Sequence, residues 1–540
     1  GYLIYRVASR RFTRVSSSWI AALYLFNPIV ILDGAVWGQT DGVFTFFLVW
    51  MVYLITQKKL IPSYFVFAVS ILIKPQSLML APVLILAIID QVFLEDFNWK
   101  KFGINLGLGL AAIGMIGLLM LPFGFSEALK QYTETLGSYE YCSVNAYNFW
   151  ALIGKNWHAQ TETLLGIQAR IWGSAFLVLT VIGSIVLGIR CKKDESKYYY
   201  FGAFIYILVF SLSVRMHERY IFPAVVMLLL AYCAKPRKDT YISYMAVSLV
   251  AFFNCAYALF FYDATWETID NGPVKFTALC CVCMVAWFIW NTISGYSKEN
   301  LETAQVQAAG SQTKKRSGGR SLTRREQQKA QEHQTDRYFK PSAPAVKMLK
   351  WDFIMVAVIT LVYAVVAFTN LGDMDAPQTE YSSFEQGAIT LDFGETVNID
   401  KIWDYLGYQN NYGYSILYTQ DPAAGWTALY DGTNGKWDSG SVFKWNDTQI
   451  SLQTRYLQIA AVDGYRDSLM ELAFTDATGN LLEPVNAGDY ATLFDEQDLF
   501  TGEATKMNGT YFDEIYHGRT AYEMIHKLYC YENTHPPLGK

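Results

Sequence analysis

The chain has 540 residues, of which 52% are hydrophobic, 16% aromatic and only 17% charged. Soluble domains carry about 25% charged residues, so this chain is too apolar for an ordinary soluble protein. Its apolar residues are concentrated in long uncharged blocks, which excludes a disordered chain, a disulfide scaffold and a nucleic-acid-binding protein with a basic face. We therefore expect a membrane protein whose surroundings are the lipid bilayer.

Eleven uncharged apolar runs predict transmembrane helices, at about 18–33, 42–56, 61–73, 77–89, 103–122, 170–189, 199–213, 221–233, 241–262, 275–293 and 352–369. Several runs are shorter than the ~20 residues of a straight span, so neighbouring polar residues must lie at the membrane surface or inside the bundle. The dipeptides Asn27-Pro28 and Lys74-Pro75 predict breaks in the helices. The first ten runs define a predicted membrane domain at 1–295, and 351–370 is the first span of a second one.

The basic loops predict the orientation of these spans. They lie at 6–14, 58–59, 190–193, 235–238 and 296–350, and every second loop falls on one side if they are cytoplasmic. Residues 296–350, with 12 basic and 5 acidic residues, are then a cytoplasmic linker, and residues 371–540, with 9 basic and 26 acidic residues, are external. The pattern predicts a multi-pass plasma-membrane protein whose active face is extracytoplasmic.

Residues 381–486 change to short alternating segments separated by Gly, Asn and Asp turns, which predicts an extracytoplasmic antiparallel β-sandwich. The segments LDFGETVNIDKIW and TRYLQIAAVDGYRDSLMELAF resemble galactose-binding-like or discoidin-like domains. Trp426, Trp437 and Trp445 could stack on sugar rings, and packing in the core or rim of the domain is the favoured alternative.

The segment 487–540 ends in YFDEIYHGRTAYEMIHKLYCYENTHPPLGK, in which Asp513 and Glu514 are adjacent carboxylates. A carboxylate can take the proton of an acceptor hydroxyl, whereas a solvated acidic pair at a helix start is the alternative. The strings FDEIYH and THPPLGK resemble the first external loop of the protein O-mannosyltransferase family, membrane enzymes of the GT-C superfamily. The resemblance implies that Asp513 is the catalytic carboxylate and Glu514 its companion, and that His535, Pro536 and Pro537 shape the same substrate-binding pocket. A β-domain inserted ahead of this motif departs from the family pattern and leaves the acceptor open.

Four segments of the first half, at 26–49, 73–82, 145–152 and 214–224, resemble GT-C transferases that use polyprenyl-phosphate sugars. They contain the candidate substrate-binding residues Asp41, Lys74, Gln76, Arg215, His217 and Arg219. Cations bordering apolar spans are costly unless paired, and no local excess of acids accompanies them, so we expect a lipid phosphate to neutralise them. Side chains that anchor helix ends at the interface are the alternative. Asp41 could bind sugar hydroxyls or a metal, or cap a helix.

These features predict a mainly α, polytopic helical membrane protein of the GT-C type with an extracytoplasmic β-sandwich insert. Residues 1–295 resemble the middle and end of a GT-C module and 351–540 resemble the beginning of one, so we expect a fragment of a longer protein with two tandem modules. Asp513 and the cations of the first half then belong to separate active sites.

The predicted activity is transfer of mannose or a related hexose from a polyprenyl-phosphate donor to Ser/Thr hydroxyls of extracytoplasmic proteins. One alternative acceptor is a cell-wall polymer or glycolipid, and an alternative of another class is a non-catalytic, membrane-anchored carbohydrate-binding scaffold. No Gly-rich phosphate loop, spaced Cys/His quartet or nucleophile elbow is present in the sequence, so no cofactor and no metal site is predicted, with a divalent cation left open.

Overall fold

The computed structural model describes residues 1–316 apart from 96, 124, 138, 192–194 and 262–270, isolated positions between 350 and 369, and residues 375–528 apart from 383–387, 409–412, 431–441, 462–468, 506 and 511–512. These residues form two compact units, one within 1–347 and one within 348–532. The first unit is helical and the second contains an antiparallel sheet, which confirms the predicted fold class.

The helical unit begins with α1 (Tyr2–Ala8), α2 (Arg14–Leu25), α3 (Pro28–Ile31), α4 (Asp41–Thr56), α5 (Leu60–Ile73), α6 (Ala81–Ile88), α7 (Trp99–Met120) and α8 (Phe125–Gly137). It continues with α9 (Phe149–Leu152), α10 (Ala169–Arg190), α11 (Lys197–Leu212), α12 (Phe222–Ala234), α13 (Lys238–Phe260) and α14 (Gly272–Arg316). Two π-helical turns, Leu32–Val36 and Ile89–Leu94, extend α3 and α6, and 3-10 turns occupy Pro75–Leu80 and Leu121–Phe123.

Helices lie at ten of the eleven predicted spans. Within the described residues, five are long and apolar enough to cross a membrane: Pro75–Leu94, Trp99–Met120, Ala169–Arg190, Lys238–Phe260 and Gly272–Gly295. The pair Arg14–Leu25 and Pro28–Val36 makes a further span bent by 52°, and the helices α4, α5, α11 and α12 are shorter and apolar. The eleventh predicted span, 352–369, lies largely outside the described residues.

The predicted helix break at Asn27-Pro28 is confirmed. The side chain of Asn27 accepts a hydrogen bond from the backbone N–H of Ile29, and its amide donates to Tyr244 and Ser248 of α13 at 3.0 and 2.9 Å. Because proline has no N–H to donate to the preceding turn, the helix is interrupted here, and the Asn27 side chain caps the start of α3 and bonds it to α13.

The centre of the bundle is formed by α11 and α12, which are buried along nearly their whole length. A helix that is apolar all round is stable only when neighbours cover every face. By contrast α7 exposes Leu106, Leu110 and Ile113, as expected for a helix at the bundle edge that faces lipid.

A close approach of α10 to the loop after α11 depends on Gly173. A Cβ at this position would lie 2.8 Å from the backbone nitrogen of Val214, whereas a Cβ at Gly183 of the same helix would meet no heavy atom within 4 Å. The Val214 loop leads directly to Arg215, so this contact positions a loop with candidate site residues.

Replacement of Gly173 by Ala should therefore lower the free energy of unfolding by about 1–3 kcal/mol, because the backbone of the loop must move. Gly183→Ala is the matched control and should leave the protein unchanged or stabilise it by roughly 0.5–1 kcal/mol through helix propensity. Thermal unfolding of both variants in the same detergent measures the difference. Equal melting temperatures would contradict the close packing.

The chain between α8 and α12 forms two small two-stranded sheets. The strands β1 (Ser143–Val144) and β4 (Met216–His217) pair in parallel, and β2 (Thr163–Leu164) and β3 (Ile167–Gln168) form a hairpin. Trp150 of α9 is buried and donates its indole N–H to the carbonyl of Leu212. The segment 140–168 is therefore packed onto the loop between α11 and α12.

The second unit contains a five-stranded antiparallel sheet in the order β7-β6-β8-β5-β9. The strands are β5 (Ile389–Tyr405), β6 (Tyr414–Thr419), β7 (Thr427–Tyr430), β8 (Trp445–Ala461) and β9 (Glu471–Thr475). Irregular pairing after Asp392 and Ile399 interrupts the long β5·β8 ladder. Such bulges increase the local twist and bend of a long pair of strands.

One face of this sheet forms the core with the 3-10 turn Ala487–Leu493, where Leu391, Ile416 and Leu457 are buried. Trp445 is 3% exposed and donates to the carbonyl of Leu499, so it has the packing role. Trp426 is half-buried, and Trp437 lies outside the described residues.

The first residue of β9, Glu471, is fully buried. One carboxylate oxygen accepts bonds from the Gln497 amide at 2.8 Å and the Glu496 backbone at 3.2 Å. Burial, with a smaller contribution from the charges of Asp495 and Glu496, raises the pKa of Glu471 from 4.5 to about 7.

A folded-state pKa above the unfolded value means that Glu471 favours folding most at pH 4.5 and below, and that this contribution is lost as the pH rises to about 7. Glu471→Gln should remove this pH dependence. Hydrogen exchange of the β5 and β8 amides, corrected for intrinsic rates, measures the pH dependence of stability. Asp489 is exposed, so Asp489→Asn is the control. An unchanged pH profile in Glu471→Gln would contradict the assignment.

Candidate functional site

A group of charged and amide side chains, most of them buried, lies at one end of the helical bundle. We call it the ionic cluster, and it consists of Asp33, Asp41, Lys74, Gln76, Glu218 and Arg219. These residues come from four separate segments of the first unit, so the cluster exists only in the folded bundle.

The centre of the cluster is the ion pair between Asp41 and Lys74. Asp41 is the first residue of α4, after Thr40 at the N-cap position, and Lys74 follows the last residue of α5. Because α4 and α5 are joined by three residues at their other ends, these two positions lie at the same end of a helical hairpin. The Lys74 ammonium donates to both Asp41 carboxylate oxygens, at 2.9 and 3.0 Å.

Each charge of this pair is also suited to its helix end. An acid at a helix N-terminus and a base at a C-terminus are both favoured by the helix dipole. Asp41 is fully buried and the Lys74 side chain is 17% exposed, so the pair is shielded from bulk solvent and from salt. The amide of Gln76 also approaches Asp41, at 3.5 Å.

Arg219 reaches the same carboxylate from the loop between α11 and α12. Its Nε lies 3.6 Å from Asp41, its Nη1 donates to Glu218 at 2.9 Å, and its guanidinium lies 5.6 Å from the centre of the Trp37 ring. Arginine is the cation that combines a forked donor set with stacking on an aromatic ring. Arg219 therefore links the π-helical turn after α3, the start of α4 and its own loop.

Asp33 completes the cluster from the π-helical turn Leu32–Val36. It is fully buried, and the charges of Asp41, Lys74, Arg219 and Glu218 all act on it. Neither of its carboxylate oxygens has a hydrogen-bond partner among the described residues. The cluster thus contains three carboxyl groups and two fixed cations.

The loop between α11 and α12 holds two further candidate residues. His217 lies beside the ionic cluster, and Arg215 points away from it. His217 is buried, with its ring 4.5 Å from that of Tyr139 and its Nδ1 4.0 Å from Glu218. Arg215 instead donates to Gln160 at 3.0 Å and lies 3.4 Å from Glu140, so it anchors the segment 140–168.

The structure thus brings together Asp41, Lys74, Gln76 and Arg219, and places His217 next to them. The expectation that acids do not accompany these cations does not hold, because Lys74, Arg215 and Arg219 each lie within 3.6 Å of a carboxylate. Sequence reasoning missed Asp33 and Glu218 as site residues. Their signal was present, since both are acidic residues inside the segments that carried the family resemblance.

The Asp513-Glu514 motif belongs to the second unit. A helix, α15 (Asp513–Ile525), begins at Asp513, as the sequence alternative of an acidic helix start predicts. In this helix Arg519 pairs with Glu523 at 2.9 Å, and both side chains are buried. The side chains of Asp513 and Glu514, and the motif His535, Pro536 and Pro537, lie outside the described residues.

One group in the described residues of the second unit could hold a metal ion. Carboxylate atoms of Glu471, Asp495 and Glu496 lie within 4.8 Å of one another. Hard cations such as Ca²⁺ prefer oxygen ligands of this kind. The ionic cluster differs from it, because Lys74 and Arg219 already provide positive charge for Asp41.

Residues 4–152 match the family model of the GPI transamidase subunit PIG-U. The match covers about a quarter of the chain and contains Asp33, Asp41, Lys74 and Gln76, but not the loop with Glu218 and Arg219. PIG-U is a GT-C-like membrane family, so the match supports a GT-C-like membrane segment and does not extend to the protein O-mannosyltransferase family. A search of the curated proteins finds no similar sequence.

The buried Asp41–Lys74 pair predicts strongly non-additive mutational effects. Asp41→Asn and Lys74→Met should each lower the free energy of unfolding by about 3 kcal/mol, because each leaves a buried charge without its partner. The loss of unfolding free energy in the double variant should be smaller than the sum of the two single losses, by about 1 kcal/mol or more. Thermal and denaturant unfolding in detergent measure the cycle.

The control for this cycle is the pair Lys58–Glu95, whose side chains are 52% and 49% exposed. The same cycle there should give a coupling of about 0–1 kcal/mol. Additive effects of Asp41→Asn and Lys74→Met would show that the two charges do not depend on each other.

Proposed function

We propose that the protein transfers a hexose, mannose by family resemblance, from a polyprenyl-phosphate donor to hydroxyl groups of Ser/Thr in extracytoplasmic proteins. The membrane is the plasma membrane, and the ionic cluster faces its outer side. The partners are the lipid-linked sugar, the acceptor protein and the bilayer.

The ionic cluster is the observation that carries this proposal. A sugar-phosphate donor presents an anion and a hydroxyl-rich ring, and the cluster combines two cations with carboxylate and amide acceptors. Lys74 uses two of its three N–H bonds on Asp41, which leaves one for a phosphate oxygen. Burial strengthens each such contact, because the surroundings screen charge less than water does.

The proposed reaction is an inverting displacement that needs no metal. The acceptor oxygen forms a bond to the anomeric carbon while the bond from that carbon to the phosphate oxygen breaks. A carboxylate takes the hydroxyl proton, and the lipid phosphate leaves with the bonding electrons, stabilised by nearby cations. We assign the carboxylate role to Asp513, with Glu514 as its companion, in a second module. The ionic cluster belongs to the first.

The PIG-U match favours a second candidate function. The matched family is described as a subunit of GPI transamidase. By analogy, the first unit would bind a lipid-linked glycan without transferring it, as a non-catalytic scaffold. A third candidate function is a transferase whose acceptor is a cell-wall polymer or glycolipid instead of a protein.

Transfer by the full-length chain in nanodiscs tests the proposal, with polyprenyl-phosphate mannose as donor and a Ser/Thr peptide as acceptor. In an Asp513→Asn background, where only the first module acts, Arg219→Gln should reduce the rate at least about tenfold, because it removes a cation that stabilises the leaving phosphate. Arg170→Gln is the control, since this arginine is exposed at the start of α10 and bonds Gln168. Equal rates in the two variants would contradict a role of the cluster in transfer.

Two further arms separate the candidate functions. Asp513→Asn in the Arg219→Gln background, where transfer by the first module is already weakened, should remove most of the remaining transfer without changing expression, and an unchanged rate there would remove the catalytic assignment. Donor binding without transfer to peptide, polymer or glycolipid would favour the non-catalytic scaffold.

A further inference from the structure

The carboxylate of Asp33 has an unusual environment for a buried acid. It is 0% exposed, and neither oxygen has a hydrogen-bond partner among the described residues. Burying a carboxylate without hydrogen bonds is strongly unfavourable, so such groups are normally paired or bound to a ligand. Asp33 lies in a π-helical turn, an element that often occurs at functional sites.

Asp90 provides an internal comparison. It also lies in a π-helical turn of the same unit and is also buried, at 5% exposure. Its Oδ2 is engaged, however, by both the Lys197 ammonium at 2.6 Å and the Tyr198 hydroxyl at 2.9 Å. The two acids have similar local backbone and burial, and only Asp33 keeps its acceptor capacity unused within the described residues.

A second buried acceptor belongs to the same cluster. The amide oxygen of Gln76 has no hydrogen-bond partner among the described residues, while its amide nitrogen approaches Asp41. Asp41 is also the residue whose charge acts most strongly on Asp33. Asp33 and Gln76 therefore present three unused acceptor oxygens around one ion pair, and a matching ligand must bring hydrogen-bond donors.

We propose that Asp33 is a sugar-recognition residue that accepts hydrogen bonds from two neighbouring hydroxyl groups of the hexose on the lipid donor. This inference rests on the proposed function. A phosphate would be repelled by the carboxylate, and Lys74 and Arg219 disfavour a ligand ammonium at the same place. A pair of hydroxyls is neutral and supplies two donors to the two oxygens of one carboxylate. Gln76 offers its oxygen to a further hydroxyl.

Binding to the full chain in nanodiscs tests this inference with two probes, a polyprenyl-phosphate mannose and the same polyprenyl phosphate without sugar. Asp33→Asn and Asp33→Leu should weaken binding of the sugar-bearing lipid about 10- to 100-fold, as expected for hydrogen bonds lost from a buried carboxyl group. Binding of the sugar-free lipid should change by less than about twofold. Both variants should keep the melting temperature of the wild type or raise it, because no partner loses a hydrogen bond.

Asp90→Asn is the matched control. It should lower the melting temperature, because it weakens the partner of the buried Lys197, and it should leave the affinity ratio between the two lipids unchanged. Donor lipids whose sugar lacks one hydroxyl should bind the wild type as weakly as the complete donor binds the Asp33 variants, when the missing hydroxyl is at either of two neighbouring positions. Removal of the same hydroxyls should not change the affinity of Asp33→Leu.

Three results would overturn the inference in distinguishable ways. Wild-type affinity for the sugar-bearing lipid in both Asp33 variants removes Asp33 from sugar recognition and leaves the proposed function intact. Equal wild-type affinity for the two lipids removes sugar recognition from the cluster. Failure of the folded wild type to bind either lipid overturns the proposed function and this inference together.

Discussion

The ion pair between Asp41 and Lys74 is the interaction on which the end of the helical bundle depends. Two charges at the adjoining ends of α4 and α5 are buried against each other, and the reach of Arg219 to Asp41 brings a third segment to the same carboxylate. In an apolar bundle an isolated buried charge is very costly, so each member of this group requires the others. The positions of α4, α5 and the loop before α12 are coupled for this reason.

The same end of the bundle is supported by neutral polar side chains. Asn254 of α13 donates to the carbonyl of Asn145 and accepts from the backbone of Tyr147, and Asn148 donates to the carbonyl of Phe210. These bonds satisfy backbone groups of a non-helical segment that would otherwise lie against apolar helices. The polar network therefore orders the loop beside the cluster, while Arg215 and Gln160 attach the outer part of the segment 140–168.

Other interactions stabilise the second unit. Its sheet buries aliphatic and aromatic residues on one face, and its buried acid Glu471 is held by hydrogen bonds to Gln497 and the Glu496 backbone. The Asp513-Glu514 motif begins a helix of this unit. The ionic cluster and this motif lie in two separate compact units, and their assignment to two modules stays a prediction.

Hydrophobic patterning in the sequence was sufficient to predict the positions of ten apolar helical segments, the breaks at Asn27-Pro28 and Lys74-Pro75, and a β region after residue 381. These features are local: an apolar run, a proline or an alternation of side chains has the same consequence wherever it occurs. Residue types in the family-like segments also pointed to Asp41, Lys74, Gln76 and Arg219. Only the tertiary structure decided that Lys74 and Arg219 share the carboxylate of Asp41, that Arg215 turns to Gln160, and that Asp33 is buried beside them. Such pairings join positions up to 178 residues apart, and no local pattern records which distant charge a buried group will meet.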